Sequence, residues 1–140
     1  MKVWLERLQR RLKPTRGPVG HGVIICGIEA VHYRLQQQLV ASSGLRLEAL
    51  VSDAPWQHAT RIAGVRVFYP SEIPALIERT GARALIYCRE ADLTMFDTAS
   101  RRSLDHQPVQ LIALDPDRVA DPAAWLADLL AGKESKGTSQ

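Results

Sequence analysis

The chain has little of what marks a membrane span, a disulfide scaffold or a zinc module. No window approaches the roughly 18 uninterrupted apolar residues of a membrane-crossing helix, so the sequence reads as soluble or peripheral. Cysteine is nearly missing. Cys26 and Cys88 are the two in 140 residues, far apart and without histidines at ligand spacing, which leaves no zinc pattern and no disulfide framework. The N-terminus lacks the apolar core and small-residue cleavage site of a secretory signal. The expected location is therefore cytoplasmic, with peripheral attachment at the inner membrane as a variant. There is no GxSxG, no Ser/His/Asp order, no paired-carboxylate motif and no P-loop lysine. No residue is assigned a catalytic role, none is assigned to a metal, and the expectation is a protein that is not an enzyme. Aromatic residues make up 6% of the chain and are not interleaved with basic ones, which argues against nucleic acid as a partner.

Charge is unevenly spread. Lys2, Arg7, Arg10, Arg11, Lys13 and Arg16 face Glu6 alone in the first 20 residues, while the remaining 120 carry a small acidic excess. The high isoelectric point thus describes an arm, and a basic arm suits acidic lipid, an acidic protein face or nucleic acid. Trp4, Leu5, Leu8 and Leu12 fall at helical spacing within it, so the spacing predicts an amphipathic helix over Lys2 to Lys13. Such a helix suits an anionic membrane surface or an envelope-synthesis protein met by residues 1–16, or packing on its own domain or a second subunit in a homo-oligomer.

Pro14, Gly17, Pro18 and Gly20 form a linker, giving an arm over 1–20, a body over 21–132 and a disordered tail over 133–140. Within the body, strands alternate with helices. Strands are expected at His21 to Cys26, Leu45 to Val51, Val65 to Tyr69, Ala84 to Cys88 and Val109 to Leu114. The first helix, Glu29 to Ser43, carries Val31, Leu35 and Leu39 on one stripe with Arg34, Gln36, Gln37 and Gln38 mostly outward, and Gly44 as its stop. Ser71 caps a second helix ended by Gly81. A weaker one follows from about Asp92 to Leu104, and Asp121 with Pro122 begins a last one ended by Gly132. Trp125, Leu126, Leu129 and Leu130 form that last helix's inner face. The pattern implies an α/β fold: an open parallel five-stranded sheet, order 3-2-1-4-5, with helices on both faces.

The first strand breaks at Gly27 into a helix, as in the phosphate-binding half of a nucleotide-binding βαβ unit. A dinucleotide turn needs glycine at three places, and Gly27-Ile28-Glu29-Ala30-Val31 keeps only the first. Gly27, Ile28 and Glu29 either cradle a phosphate, or Gly27 simply permits the turn. Asp53, at the end of the second strand, suits ribose hydroxyls, with Ser52 a weaker contributor; as a turn residue before Ala54-Pro55 it needs no ligand. Arg89 follows the strand ending in Cys88, at the sheet edge where ligands of open α/β folds collect, and either meets phosphate or is solvated. Cys26 and Cys88 end neighbouring strands at that edge, near enough for a thiol pair, or they pack as small apolar groups. His32 and His58 have no ligand motif beside them and read as surface histidines.

These elements carry a family resemblance. Val23-Ile24-Ile25-Cys26-Gly27 with Glu29-Ala30, Leu50-Val51-Ser52-Asp53-Ala54-Pro55, Ile62-Ala63-Gly64-Val65-Arg66-Val67 and Ser71-Glu72-Ile73-Pro74-Ala75-Leu76-Ile77 occur in that order before the strand Ala84 to Cys88. Together, over about half the chain, they resemble the accessory Rossmann domain, often labelled CoA-binding-like. In bacterial polysaccharide biosynthesis this domain precedes the catalytic domain of membrane-bound nucleoside-diphosphate-sugar epimerases and dehydratases. The basic arm resembles that family's arginine-rich linker. One residue of the glycine loop is missing, Val31 stands at its last glycine, and Ser52 replaces the first acid of the strand end. The resemblance implies an accessory domain by itself in cell-envelope or exopolysaccharide synthesis, with NAD, CoA or a nucleotide sugar as ligand, bound weakly or no longer.

Overall fold

The strand His21–Cys26 (β1) lies in the middle of the sheet, and its run from Gly22 to Cys26 is covered on both faces. The computed structural model describes the backbone of residues 20–139 and the side chains of residues 20–132. The amphipathic helix and most of the linker expected over the first 20 residues lie outside the described residues. After β1 come helix α1 (Ala30–Val40), β2 (Leu45–Val51), the short β3 (Arg61–Ile62), β4 (Val65–Phe68), α2 (Ile73–Thr80), β5 (Ala84–Tyr87), α3 (Thr98–Asp105), β6 (Gln110–Ala113) and α4 (Pro122–Ser139).

The sheet runs β3-β4-β2-β1-β5-β6, with all neighbours parallel except the pair β3 and β4. It therefore has six strands and not the expected five in order 3-2-1-4-5. The added strand comes from a hairpin too short to show as an apolar run: Arg61 and Ile62 pair with Arg66 and Val65 across Ala63 and Gly64. Both turn residues have positive φ, 51° and 85°, the geometry of a tight type I′ hairpin.

Alternation along β1 sends side chains to two cores. Val23 and Ile25 pack with Leu35 and Leu39 of α1 and Leu126 and Leu130 of α4; Ile24 and Cys26 pack with Ile73, Leu76 and Ile77 of α2 and Leu104 of α3. Helices thus cover both faces. A bulge between Val23 and Ile24 skips Glu48 in β2 and keeps Leu50 and Val51 on opposite sides.

Several local expectations change. Helix α1 ends at Val40 with Ala41 as its C-cap, before Gly44, and Gln36 is buried, its amide donating to the Ile62 carbonyl at 2.8 Å because α1 packs beneath the hairpin. The single helix expected over Asp92 to Leu104 is divided. A 3-10 turn covers Glu90–Met95, and Asp97 starts α3 by accepting from the Ser100 amide at 2.8 Å. The α2 turn begins as a 3-10 segment at Pro70–Glu72, so Ser71 is inside it and not its cap. Gly81 does stop α2, at φ 73°. Helix α4 begins as expected, with Asp121 accepting from Ala124, but it continues through Gly132, a residue whose cost inside a helix is only about 1 kcal/mol. Trp125 is 42% exposed and so is not on the inner face with Leu126 and Leu130.

Candidate functional site

The carboxyl ends of β1, β2 and β5 meet the start of α1 around a cleft of about 300 Å³. This is the switch point of the sheet: the chain leaves β1 toward β2 on one side and returns to β5 on the other. Gly27, Ile28, Glu29, Ser52, Asp53 and Arg89, six of the positions singled out in the sequence, all line it. Cys88 does not; it is half-buried and packs toward the core under α1 and α4.

Gly27 is required by its surroundings. Its φ is +134°, and a Cβ there would overlap the imidazole of His32. His32 is buried, 2% exposed, and so is not the surface histidine expected; α1 turns it inward beneath the glycine. Its Nδ1 accepts from the Glu29 backbone N–H at 3.1 Å, and its Nε2 lies 2.8 Å from Asp92 Oδ2. A ring nitrogen that accepts from an amide carries no proton, so the hydrogen sits on Nε2 and is donated to Asp92. Both nitrogens are thereby used, which leaves His32 no free lone pair for acid-base work.

Asp92 closes the arrangement. Its Oδ2 also accepts from the Cys88 and Arg89 amides at 2.9 and 3.0 Å, tying the end of β5 to the start of α1. Burial raises the carboxyl pKa, but the hydrogen bonds from His32, Arg89 and Cys88 outweigh it and hold the group below its ordinary value. Neither His32 nor Asp92 stood out in the sequence as a site residue. The available signal was an acid three residues after Arg89 and a histidine three residues into α1, both common in turns.

His32, Cys88 and Asp92 place one ligand-type atom each within 4.8 Å of one another, a possible metal triad. The donor chemistry fits poorly. Metal binding at Nε2 would move the proton to Nδ1, against the Glu29 N–H, and burial together with Asp92 and Asp115 pushes the Cys88 thiol up to about 12 despite Arg89 and Arg34.

Glu29 is the N-cap of α1 and shares a capping box with His32, while its carboxylate pairs with Arg89 across the mouth of the cleft. That pair is exposed, and contact with Glu29 raises the Arg89 pKa. Ser52 is buried, its Oγ accepting from the Ala54 amide at 3.1 Å. Asp53 is exposed, and among the described residues its carboxylate has no hydrogen-bond or ion-pair partner.

Cys26 and Cys88 are both free thiols. They share the carboxyl edge but not a face, because Cys26 packs under α2 and Cys88 under α1 and α4. That alternation opposes a disulfide between them. Cys26 is buried and Cys88 half-buried. The other histidine singled out, His58, is half-buried, stacked on Tyr69 at 4.0 Å and bonded to Glu72 at 2.9 Å, away from the cleft.

Solved structures share this arrangement of strands and helices. The chain is similar to UDP-D-quinovosamine 4-dehydrogenase from Vibrio fischeri at 18% identity, covering 82% of this chain and 87% of that one, with a TM-score of 0.57. It is also similar to RSP, a Rex-family repressor, at 16% identity over 95% of this chain and 70% of that one, TM-score 0.55. The RSP complex with β-NADH matches at 16% identity over 96% and 72%, TM-score 0.54. The fold is Rossmann-like. No protein-family model matches the chain, and no curated protein matches it significantly. Among the described residues, no helix is long and apolar enough to cross a membrane.

Proposed function

We propose that this is a non-catalytic Rossmann-like domain whose phosphate-binding turn is satisfied by its own residues, and which works as an interaction or regulatory module in bacterial envelope or exopolysaccharide synthesis. One observation carries the reading. The Glu29 N–H, a donor well placed for a phosphate at this turn, is given to His32 Nδ1. The Glu29 carboxylate, paired with Arg89, then supplies the negative charge that the start of a helix attracts. With this site self-satisfied, a pyrophosphate must displace a carboxylate before it gains anything. The envelope setting rests on the order of the sequence motifs from Val23 to Cys88. Residues 1–16 are the segment proposed to meet an anionic membrane surface or an envelope-synthesis partner from the cytoplasmic side.

Thermal-shift measurements against NAD, CoA and nucleotide sugars test this. The expected result is no stabilisation at ligand concentrations up to about a hundred micromolar; a shift of several degrees there would mean a working dinucleotide or CoA site.

A second reading, a ligand-sensing domain, is favoured by Asp53. Its carboxylate is exposed at the end of β2, lines the cleft and has no protein partner among the described residues. The similarity to a repressor solved with β-NADH fits a sensor as well.

A further inference from the structure

We propose that a second copy of this chain pairs with the open edge of β6, antiparallel, so that the two sheets join into one. This pairing needs neither a ligand in the cleft nor the basic arm.

The two edges of the sheet differ. At β3 the edge strand is two residues long, carries Arg61 and has the Ile62 carbonyl taken by the Gln36 amide, features that oppose further pairing. At β6 none of these is present. Val109 to Leu114 contains no charge and no proline, and among the described residues β5 is the strand's single neighbour. The amides of Gln110 and Leu114 donate to the carbonyls of Arg83 and Tyr87 at 2.9 Å. By alternation the amides and carbonyls of Leu111 and Ala113 point away from β5, and among the described residues they have no partner. Ala113 is exposed and Leu111 half-buried, so this row is open to solvent.

The hydrogen-bond pattern suits a second β6. An antiparallel strand centred on Ile112 sets Leu111 opposite Ala113 of the second copy, and Ala113 opposite its Leu111. Each of these pairs exchanges both N–H···O bonds, and a two-fold axis runs through the Ile112 pair. A large side chain meets a small one in both, and with no charge on the strand no like charges face each other along it. Ile112 and Leu114 belong to the core under α4, while Val109 and Leu111 pack on the core under α2 and α3. A loose peptide added here would leave its own faces in water, whereas a second β6 arrives with helices on both.

Trp125 supports the same partner. On α4, Leu126 faces the sheet, and Ala127 lies on the flank toward β2, where a Cβ on Gly44 would sit 3.4 Å from it. At about 100° per residue, Trp125 is on the opposite flank, toward β6. It is 42% exposed. The two-fold axis brings both α4 helices to the same face of the joined sheet, so each indole gains apolar cover from the other copy. Paired short strands and an indole from each copy make a small interface, which sets the expected dissociation constant at about tens of micromolar.

Sedimentation velocity on the full chain from about 1 to 200 μM, with hydrogen exchange measured at both ends of that range, tests the proposal. The expected result is a monomer–dimer equilibrium, with exchange of the Leu111 and Ala113 amides slowing as concentration rises. A113K and A113P should each weaken the dimer by about tenfold or more, and W125A by less. The melting temperature of the two Ala113 variants should change little, because Ala113 is exposed and its amide has no partner within the chain among the described residues. A monomer throughout the range would overturn the proposal. So would a dimer whose Leu111 and Ala113 amides exchange equally fast at both concentrations, or one that A113K and A113P leave intact; loss of that dimer in L8D instead would assign the association to the arm.

Discussion

His32 and Asp92, 60 residues apart in sequence, meet at 2.8 Å with both side chains almost wholly out of solvent. The contact links the first turn of α1 to the segment after β5, the two walls of the cleft. It also fixes which nitrogen of His32 carries the proton, and through Nδ1 it commits the Glu29 amide.

Replacing Asp92 by Ala leaves the Cys88 and Arg89 amides and His32 Nε2 without their shared acceptor. The expected loss is about 2–4 kcal/mol, from orphaned buried donors and a broken buried pair. Urea denaturation should show the midpoint falling with an unchanged slope. D92N, which keeps an oxygen acceptor, should lose less.

Gly27→Ala should destabilise by about 2 kcal/mol or more, because the φ of +134° is unfavourable for alanine and its Cβ would overlap the His32 ring. The double variant G27A/H32A should lose less than the sum of the two single losses, since removing the ring removes the overlap. Strict additivity in a thermal or urea double-mutant cycle would contradict the packing described.

The start of this turn shows how much the sequence disclosed. Apolar patterning identified the parallel strands and most helices: β1 leaves the unbroken run Val23 to Cys26 because it is covered on both faces, β2 alternates in its first half around Arg46 and Glu48, and of the three glycine stops Gly81 alone ends its helix. Six cleft residues were legible because strand ends in such a sheet converge on one edge. The His32–Asp92 contact was not legible: periodicity reports which residues turn inward only when they are apolar, and a buried histidine or Gln36 looks like a surface residue until its partner is known. The hairpin β3–β4 was hidden for a related reason, being two residues long on one side.

Acid should weaken the fold. The Asp92 pKa is depressed in the folded state, so its contribution is complete above the unfolded value of about 3.9 and disappears as pH falls through the lower folded value. Asp97 is shifted in the same direction by its hydrogen bonds with Ser100. The melting temperature should drop below about pH 4, and the drop should be shallower in D92A. An equally steep acid limb in D92A would place the sensitivity elsewhere.

The thiols should behave independently. Burial raises the pKa of both, furthest for Cys26, which is wholly enclosed, while Cys88 is partly accessible. Ellman's reagent at pH 8 should label Cys88 slowly in the native protein and Cys26 only on unfolding. Mild oxidation should yield no intramolecular disulfide by mass spectrometry. Formation of one would mean that the two side chains reach each other across the sheet edge.

The central claim is that the glycine turn satisfies itself through Glu29, His32 and Arg89. A calorimetric titration of NAD into the unmodified full chain tests it most directly. The account predicts binding no tighter than high micromolar, or none; a sub-micromolar dissociation constant would contradict it.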